Sequence, residues 1–195
     1  ENLFLRKEIA GFRTNIRREQ SCSIKSLTRD YLYKQLLSSG EYTFDHMLVI
    51  KDPYGEAPLT ALALFILEEP ACVRVTTKGN LKETDFITEL PKKKEHRVPI
   101  LGMYAEKAND IVIEILDDEG NCVKSHTFTI RTKRLPKSLR NVITVKKWTD
   151  KPAYSNIMIN GGVKIHTCVF DIEGKIRYYL SRKPRGYGIF PLSDG

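Results

Sequence analysis

Apolar and polar residues follow two different periods along this 195-residue chain. Between Leu27 and Ser39 the apolar positions of LTRDYLYKQLLSS recur at helical spacing, which predicts a single helix near residues 28–38. Thr28 is the predicted N-cap of this helix, and Gly40 is predicted to end it. After Gly40 the apolar positions recur at every second residue, which is typical of β-strands.

Five segments carry this period of two before residue 133, and they predict strands at 46–51, 60–69, 71–77, 109–117 and 122–131. Short strands separated by turn signals, with no helical pattern between them, predict an all-β fold. We expect an antiparallel β-sandwich of immunoglobulin or fibronectin type III style over residues 42–132, preceded by an N-terminal arm at residues 1–41. The last two strands are joined by DDEGN, where Gly120 supplies the positive φ of a hairpin loop.

The motif DPYG at residues 52–55 predicts a tight turn ahead of an apolar strand. Pro53 fixes its own φ, Gly55 can adopt a positive φ, and the Asp52 side chain can accept hydrogen bonds from nearby backbone N–H groups. The turn is either an ordinary lead into the strand or a surface on which Tyr54 contacts another part of the protein or a second subunit.

Strand patterns resume at 154–160, 166–172, 175–181 and 187–192, with a hairpin turn at Glu173-Gly174. Four short strands cannot bury two faces alone, so residues 153–195 are predicted to be the incomplete start of a larger repeated structure. Their apolar faces need a partner, which is either the sandwich near Tyr54 and Pro58 or a second copy of the chain. We expect the second arrangement, and therefore a homo-oligomer.

Positive charge is concentrated between the two strand-rich regions. Residues 131–151 carry eight Lys/Arg and one Asp, whereas residues 35–130 carry ten Lys/Arg and sixteen Asp/Glu. Trp148 is the one aromatic residue in the basic stretch, which argues against stacking on nucleic acid. Residues 133–152 are therefore predicted to be a solvated basic linker. The longest apolar run, Ala61 to Leu67, is too short to cross a membrane.

Cys22, Cys72, Cys122 and Cys168 lie about fifty residues apart, with no CxxC pair and no histidine at a ligand spacing. We therefore expect no metal site and no bound cofactor. A disulfide between Cys72 and Cys122 stays open from the sequence.

Three stretches together resemble the bacterial aryl-sulfate sulfotransferases that do not use PAPS. DPYGEAPLTAL (52–62) and VPILGMYAEKANDIVIEI (98–115) look like motifs of the family's N-terminal β-sandwich. FDIEGKIRYYL (170–180) resembles the opening strands of its β-propeller, with a pattern of aromatic-Asp-x-x-Gly-x-x-Arg-aromatic-aromatic-Leu. The likeness extends over residues 42–195.

The resemblance implies a whole enzyme that moves a sulfuryl group from a phenolic sulfate ester to another phenol. A propeller histidine would be the covalent acceptor, helped by further histidines and an arginine. The chain's own His46, His96, His126 and His166 match none of these, so each is expected to be structural; His96 lies in PKKKEHR, which is predicted to be a loop. Arg185 and Tyr187 lie nearest to a propeller funnel, but neither is predicted to bind substrate.

No residue of this chain is therefore predicted to be catalytic, cofactor-binding or metal-binding, and the chain is expected to be an inactive N-terminal fragment. The resemblance implies a periplasmic or extracellular protein. Residues 1–20 lack the apolar region of a signal peptide, so a cytoplasmic location stays open. The alternative function is a free-standing β-sandwich that acts in adhesion or carbohydrate binding.

Overall fold

The computed structural model describes residues 21–146, 156–159 and 167–181, which contain one α-helix, eight strands and two short 3-10 helices at Lys82–Thr84 and Lys137–Leu139. Side chains are described at 27–146 and 167–181. The elements are α1 (Ser21–Ser38), β1 (Leu48–Lys51), β2 (Ala61–Thr77), β3 (Phe86–Ile100), β4 (Ala108–Leu116), β5 (Cys122–Arg131), β6 (Asn156–Ile159), β7 (Cys168–Asp171) and β8 (Ile176–Tyr179). Within these residues, no helix is both long enough and apolar enough to cross a membrane.

Helix α1 is described from Ser21, so Thr28 lies in its interior and the prediction of Thr28 as N-cap is wrong. The segment SCSIKS ahead of it contains neither glycine nor proline, so nothing there interrupts helical geometry. The C-terminal end of α1 agrees with the prediction that Gly40 ends the helix. Gly40 has a φ of 72°, and its N–H donates to the carbonyl of Leu37 at 3.1 Å, which closes the last turn.

Strand β2 is the longest element of the sheet, and every neighbouring strand runs antiparallel to it. Its first half pairs with β1 and with the end of β3, and its second half pairs with the start of β3 and with β4. Strand β5 completes this five-stranded sheet beside β4. The register with β3 shifts between Ile66 and Ala71, around Pro70, which has no N–H to donate. The predicted strands 60–69 and 71–77 are therefore one strand with an irregularity inside it.

Strand β3 was missed by the sequence pattern, and the prediction of a loop at PKKKEHR is wrong. Its exposed middle contains three consecutive lysines, Lys92, Lys93 and Lys94, which interrupt the alternation of apolar and polar residues. The alternation returns at the end of the strand, where Val98 and Ile100 are buried. Pairing with β2 on both sides of the irregularity holds the charged stretch in the sheet.

Both faces of the first half of β2 are covered. Ala63, Phe65 and their neighbours at alternate positions join the main core, which includes Val75 and Ile113 from the second half of the sheet. The intervening residues, Leu62 and Leu64, face α1 and contact Tyr33 and Leu37. A strand buried on both faces has a continuous apolar sequence rather than an alternating one. The mostly β, antiparallel fold predicted from the sequence is thus confirmed, with the helix packed on one face of the sheet.

The three-stranded sheet of β6, β7 and β8 lies next to this core. Phe170, Ile176 and Tyr179 belong to the main apolar cluster, together with Leu139 from the segment between the two sheets. The sandwich itself therefore packs on the apolar side of the hairpin, which is the first of the two arrangements named above and not the one expected. Whether copies of the chain also associate stays a prediction.

The thiols of Cys72, Cys122 and Cys168 are free. Cys72 pairs with Leu116 on β4, and Leu116 pairs in turn with Cys122 on β5, so the β4 strand lies between the two cysteines. Cys122 is exposed at the first position of β5.

Gly102 offers the sharpest test of this fold. It has a φ of 74°, and a Cβ added there would lie 2.6 Å from the Cβ of Phe86. Gly120 has a similar φ of 85° with nothing within 4 Å of the same position. We expect Gly120→Ala to cost about 1 kcal/mol of unfolding free energy from backbone strain. Gly102→Ala should cost about 2 kcal/mol more, because its methyl group has no room.

Urea unfolding of both variants and the parent chain measures this difference. Equal destabilisation by the two substitutions would contradict the close packing of Phe86 on the loop at Gly102.

Candidate functional site

The residue with the most demanding environment is Arg177 on β8, whose relative exposure is 0%. The hairpin of β7 and β8 presents it. Gly174 adopts a φ of 76° and donates its N–H to the carbonyl of Asp171 at 2.8 Å, which closes the turn. The carboxylate of Asp171 accepts from the N–H groups of Glu173 and Lys175, each at 3.0 Å. The predicted turn at Glu173-Gly174 is confirmed.

The guanidinium of Arg177 reaches across the hairpin into the end of the sandwich. Its Nε donates to the carbonyl of Gly102 at 2.6 Å. Its Nη1 lies 2.8 Å from the carbonyl of Thr84, 2.9 Å from the hydroxyl of Tyr104 and 3.1 Å from the carboxylate of Asp171. The Arg177 Cζ also lies 3.9 Å from the centre of the Tyr104 ring, so the cation packs on an aromatic face.

A second buried residue, Asn109 on β4, holds Tyr104 in place. Its side-chain oxygen accepts from the N–H of Tyr104 at 2.7 Å, and its side-chain nitrogen donates to the Tyr104 carbonyl at 3.0 Å. The same nitrogen lies 3.3 Å from the carbonyl of Ile130 on β5. The loop at the end of the sandwich is thereby tied to two strands. We call Arg177, Asp171, Tyr104, Gly102 and Thr84 the arginine seat.

In the arginine seat the buried positive charge of Arg177 is compensated by the carboxylate of Asp171. The Tyr104 hydroxyl donates to the carboxylate of Asp171 at 2.9 Å, so one oxygen of that carboxylate receives both the phenol and the guanidinium. Burial raises the pKa of Tyr104 above its ordinary value, which keeps the phenol protonated and able to donate. Within the described residues, the Arg177 Nη2 has no hydrogen-bond partner. The arrangement orients the hairpin and contains no free nucleophile.

Two further hydrogen bonds, at the edge of the arginine seat, join the hairpin to the sandwich. The side chain of Asn80 donates to the carboxylate of Glu173 at 3.1 Å, and the N–H of Ser181 donates to the carbonyl of Glu56 at 2.8 Å. The second bond ties the end of β8 to the loop that follows the DPYG motif. The hairpin is therefore bound to the sandwich at both of its ends.

The DPYG motif forms the turn that the sequence predicts. Gly55 has a φ of 73°, its N–H donates to the Asp52 carbonyl at 2.9 Å, and the Asp52 carboxylate accepts from the N–H of Ala57 at 2.9 Å. Helix α1 contacts the turn from the other side. The hydroxyl of Tyr33 donates to the carbonyl of Pro53, and the hydroxyl of Tyr54 donates to the carboxylate of Asp30 at 2.6 Å.

Asp30 on α1 is the centre of this helix contact. Besides Tyr54, the guanidinium of Arg97 on β3 bonds the same carboxylate. The hydrogen bond from Tyr54, with Arg97 as a second cause, lowers the pKa of Asp30 below its ordinary value. Tyr54 thus contacts the helix of its own chain, and a contact with another subunit remains a prediction.

The histidines occupy separate environments. His46 is exposed, and His126 is half-buried beside the rings of Phe44 and Phe128. His96 is 2% exposed, its Nε2 lies 2.8 Å from the carbonyl of Lys93, and its ring stacks on Phe65. His166, Arg185 and Tyr187 lie outside the described residues. Across the described part of the chain, no group of three His, Cys, Asp or Glu side chains could hold a metal ion.

The arginine seat was not predicted, although one feature of the sequence indicates it. Arg177 stands inside IRYY, where a charge in a strand of apolar and aromatic residues predicts either a surface position or a compensated burial. The partners of Arg177 lie 73 to 93 residues away in the chain, apart from Asp171. Local patterns do not report contacts over such separations.

The sandwich matches a known protein family. Residues 48–133 match the family described as the arylsulfotransferase Ig-like domain. This match confirms the resemblance of the segment to the N-terminal region of an arylsulfotransferase, which its motifs predicted. The match contains Gly102, Thr84 and Tyr104 but ends before the hairpin that carries Arg177. No curated protein matches the chain.

Breaking the buried ion pair should destabilise the fold strongly. Asp171→Asn removes the carboxylate charge while preserving the side-chain shape, which leaves the cation of Arg177 buried without a counter-charge. We expect a loss of about 3–5 kcal/mol in unfolding free energy, measured by urea denaturation.

Asp118→Asn is the matched control, because Asp118 pairs with Lys92 at an exposed site that water screens. It should change the unfolding free energy far less. A similar, small effect of the two substitutions would show that Arg177 does not depend on Asp171.

His96 should make stability depend on pH. Burial lowers the pKa of His96 below its ordinary value. At a pH between the two pKa values, His96 is therefore protonated in the unfolded chain and neutral in the folded chain. We expect stability to fall as the pH drops from 7.5 through 6.5 and towards the lowered pKa of His96 in the folded chain. His96→Gln should flatten this slope in thermal unfolding measured across the range.

His46→Gln is the control, since His46 is exposed. A slope that persists in His96→Gln and disappears in His46→Gln would contradict the assignment.

Proposed function

We propose that this chain is the non-catalytic N-terminal part of an aryl-sulfate sulfotransferase, in which the Ig-like domain seats the first strands of a catalytic β-propeller. The observation that carries the proposal is the arginine seat. Gly102, Thr84 and Tyr104 lie in the segment that matches the Ig-like domain. Arg177 and Asp171 lie on the hairpin with the propeller-like pattern, which is thereby joined to the domain by buried hydrogen bonds.

A buried, directional contact suits a positioning role better than apolar packing alone would. Apolar surfaces can slide over one another at small cost, whereas each hydrogen bond to a guanidinium is lost when its acceptor moves by about an ångström. Arg177 has four acceptors on three separate parts of the chain. The orientation of β7 and β8 relative to the sandwich is therefore tightly defined.

In the whole enzyme the propeller would carry the chemistry. A histidine nitrogen would attack the sulfur of a phenolic sulfate ester, so that an S–N bond forms while the S–O bond to the departing phenol breaks. An acceptor phenol would then attack the same sulfur, lose its proton and release the histidine. We propose a periplasmic or extracellular location for this reaction, as the resemblance implies.

Two of the three described histidines, His96 and His126, are unsuited to that attack. His96 has its Nε2 next to the carbonyl of Lys93, and its ring is buried against Phe65, so a sulfate ester could not approach it without opening the sheet. His126 packs beside Phe44 and Phe128. These contacts support a structural role for both residues and a catalytic site elsewhere.

The test compares the purified chain with the complete product of the gene that encodes it. We expect the complete product to transfer sulfate from 4-nitrophenyl sulfate to phenol and the chain alone to show no transfer, measured as release of coloured nitrophenol. Transfer by the chain that disappears when His46, His96, His126 or His166 is replaced would show that the chemistry lies here. No transfer by either protein would favour an adhesion or carbohydrate-binding module.

A substitution in the complete product tests the positioning role. Arg177→Met should lower kcat, because the propeller strands would lose their fixed orientation. Arg74→Met removes an arginine that pairs with Glu89 on the surface of the sheet, and it should leave kcat unchanged. Equal kcat values for the two folded variants would remove the positioning role while leaving the sulfotransferase assignment intact.

A further inference from the structure

A cavity of about 310 Å³ lies where the segment after β5 meets the turn between β7 and β8. Leu139, Ile143 and Ile176 are among the apolar residues that line it, and Leu139 and Ile176 also belong to the buried core. Ile143 lies beside Gly174, where an added Cβ would come within 3.2 Å of its side chain. The apolar part of the cavity lining therefore belongs to the packed core or lies against it.

The rim of the cavity is cationic. Arg134, Arg140 and Lys175 line it, and the one carboxylate among the lining residues is that of Glu106, which lies 3.3 Å from the Nε of Arg134. Arg140 is held by a hydrogen bond of 2.9 Å from its own Nε to the carbonyl of Leu135. That bond restrains the guanidinium through its Nε, and among the described residues its two terminal nitrogens have no hydrogen-bond partner.

We propose that this cavity binds a small amphipathic anion, a single aromatic ring that bears a carboxylate or a sulfate. The ring would lie on the apolar part of the lining, and the anionic group would accept hydrogen bonds from Arg140 with Lys175 nearby. A planar guanidinium matches the two oxygens of such a group in a bidentate geometry. The volume is at the lower end of the range for small-molecule pockets, which restricts the ligand to about one ring.

The proposed binding site does not depend on the sulfuryl-transfer reaction, because only the residues that line the cavity form it. The cavity lies outside the arginine seat, and none of its three cations contacts Arg177. Binding here would occupy the junction between the basic segment and the hairpin. A ligand that binds the folded chain alone would also raise the temperature of unfolding.

The test is isothermal titration calorimetry on the full chain with benzoate and with phenyl sulfate as probes. We expect one probe molecule to bind per chain at millimolar concentration, with both anions active because they share the same chemistry. Neutral benzyl alcohol should bind at least about tenfold more weakly, since it lacks the charged group that Arg140 recognises. Inorganic sulfate should also bind at least about tenfold more weakly, since it has no ring to bury.

Variants assign the site. Arg140→Gln should weaken binding about tenfold or more, whereas Arg131→Gln removes the same charge outside the cavity and should alter it by less than about twofold. Lys175→Gln should weaken binding as well; Lys175 is exposed, so this variant decides the matter if Arg140→Gln fails to fold.

Three results would overturn the proposal. They are the absence of binding by either aromatic anion, equal weakening by Arg131→Gln and Arg140→Gln, and binding of inorganic sulfate as tight as that of the aromatic probes.

Discussion

The burial of one positive charge constrains more of this structure than any other interaction. A guanidinium that leaves water loses a large hydration free energy, which the protein offsets through hydrogen bonds to the guanidinium and a nearby negative charge. The acceptors of Arg177 come from the short helical turn at Thr84, the loop at Gly102 and Tyr104, and the hairpin at Asp171. None of these segments can shift without leaving the charge uncompensated.

This dependence explains why the loop between β3 and β4 is so closely specified. Gly102 must have a positive φ and no side chain, because Phe86 occupies the space beside it. The side-chain amide of Asn109 forms hydrogen bonds with the backbone of Tyr104. These bonds fix the position of the phenol, which bonds both Asp171 and Arg177. Asn109 thus fixes Tyr104, and Tyr104 in turn fixes Asp171 and Arg177. Their common effect is to present a fixed end of the sandwich to the hairpin.

The sequence could predict what is local. A few consecutive residues are enough to specify each turn and the end of α1. These features are the turns at DPYG, at Gly120 and at Glu173-Gly174, and the helix end at Gly40. Strand β3 could not be recognised, because its lysine run is held in the sheet by a partner strand rather than by its own pattern. The role of Arg177 was hidden for the same reason, since three of its four acceptors lie more than 70 residues away.

Two arginines at the junction after the sandwich show how burial decides what a cation does. Arg177 is fully buried, so its bonds are directed inwards and its charge serves the fold. Arg140 is half-buried, its Nε donates to the carbonyl of Leu135, and it lines an open cavity. Exposed cations cost little to leave unpaired, whereas a buried cation without a partner would unfold the region. Since the same residue type holds the hairpin in one place and lines an open cavity in the other, composition alone could assign neither role.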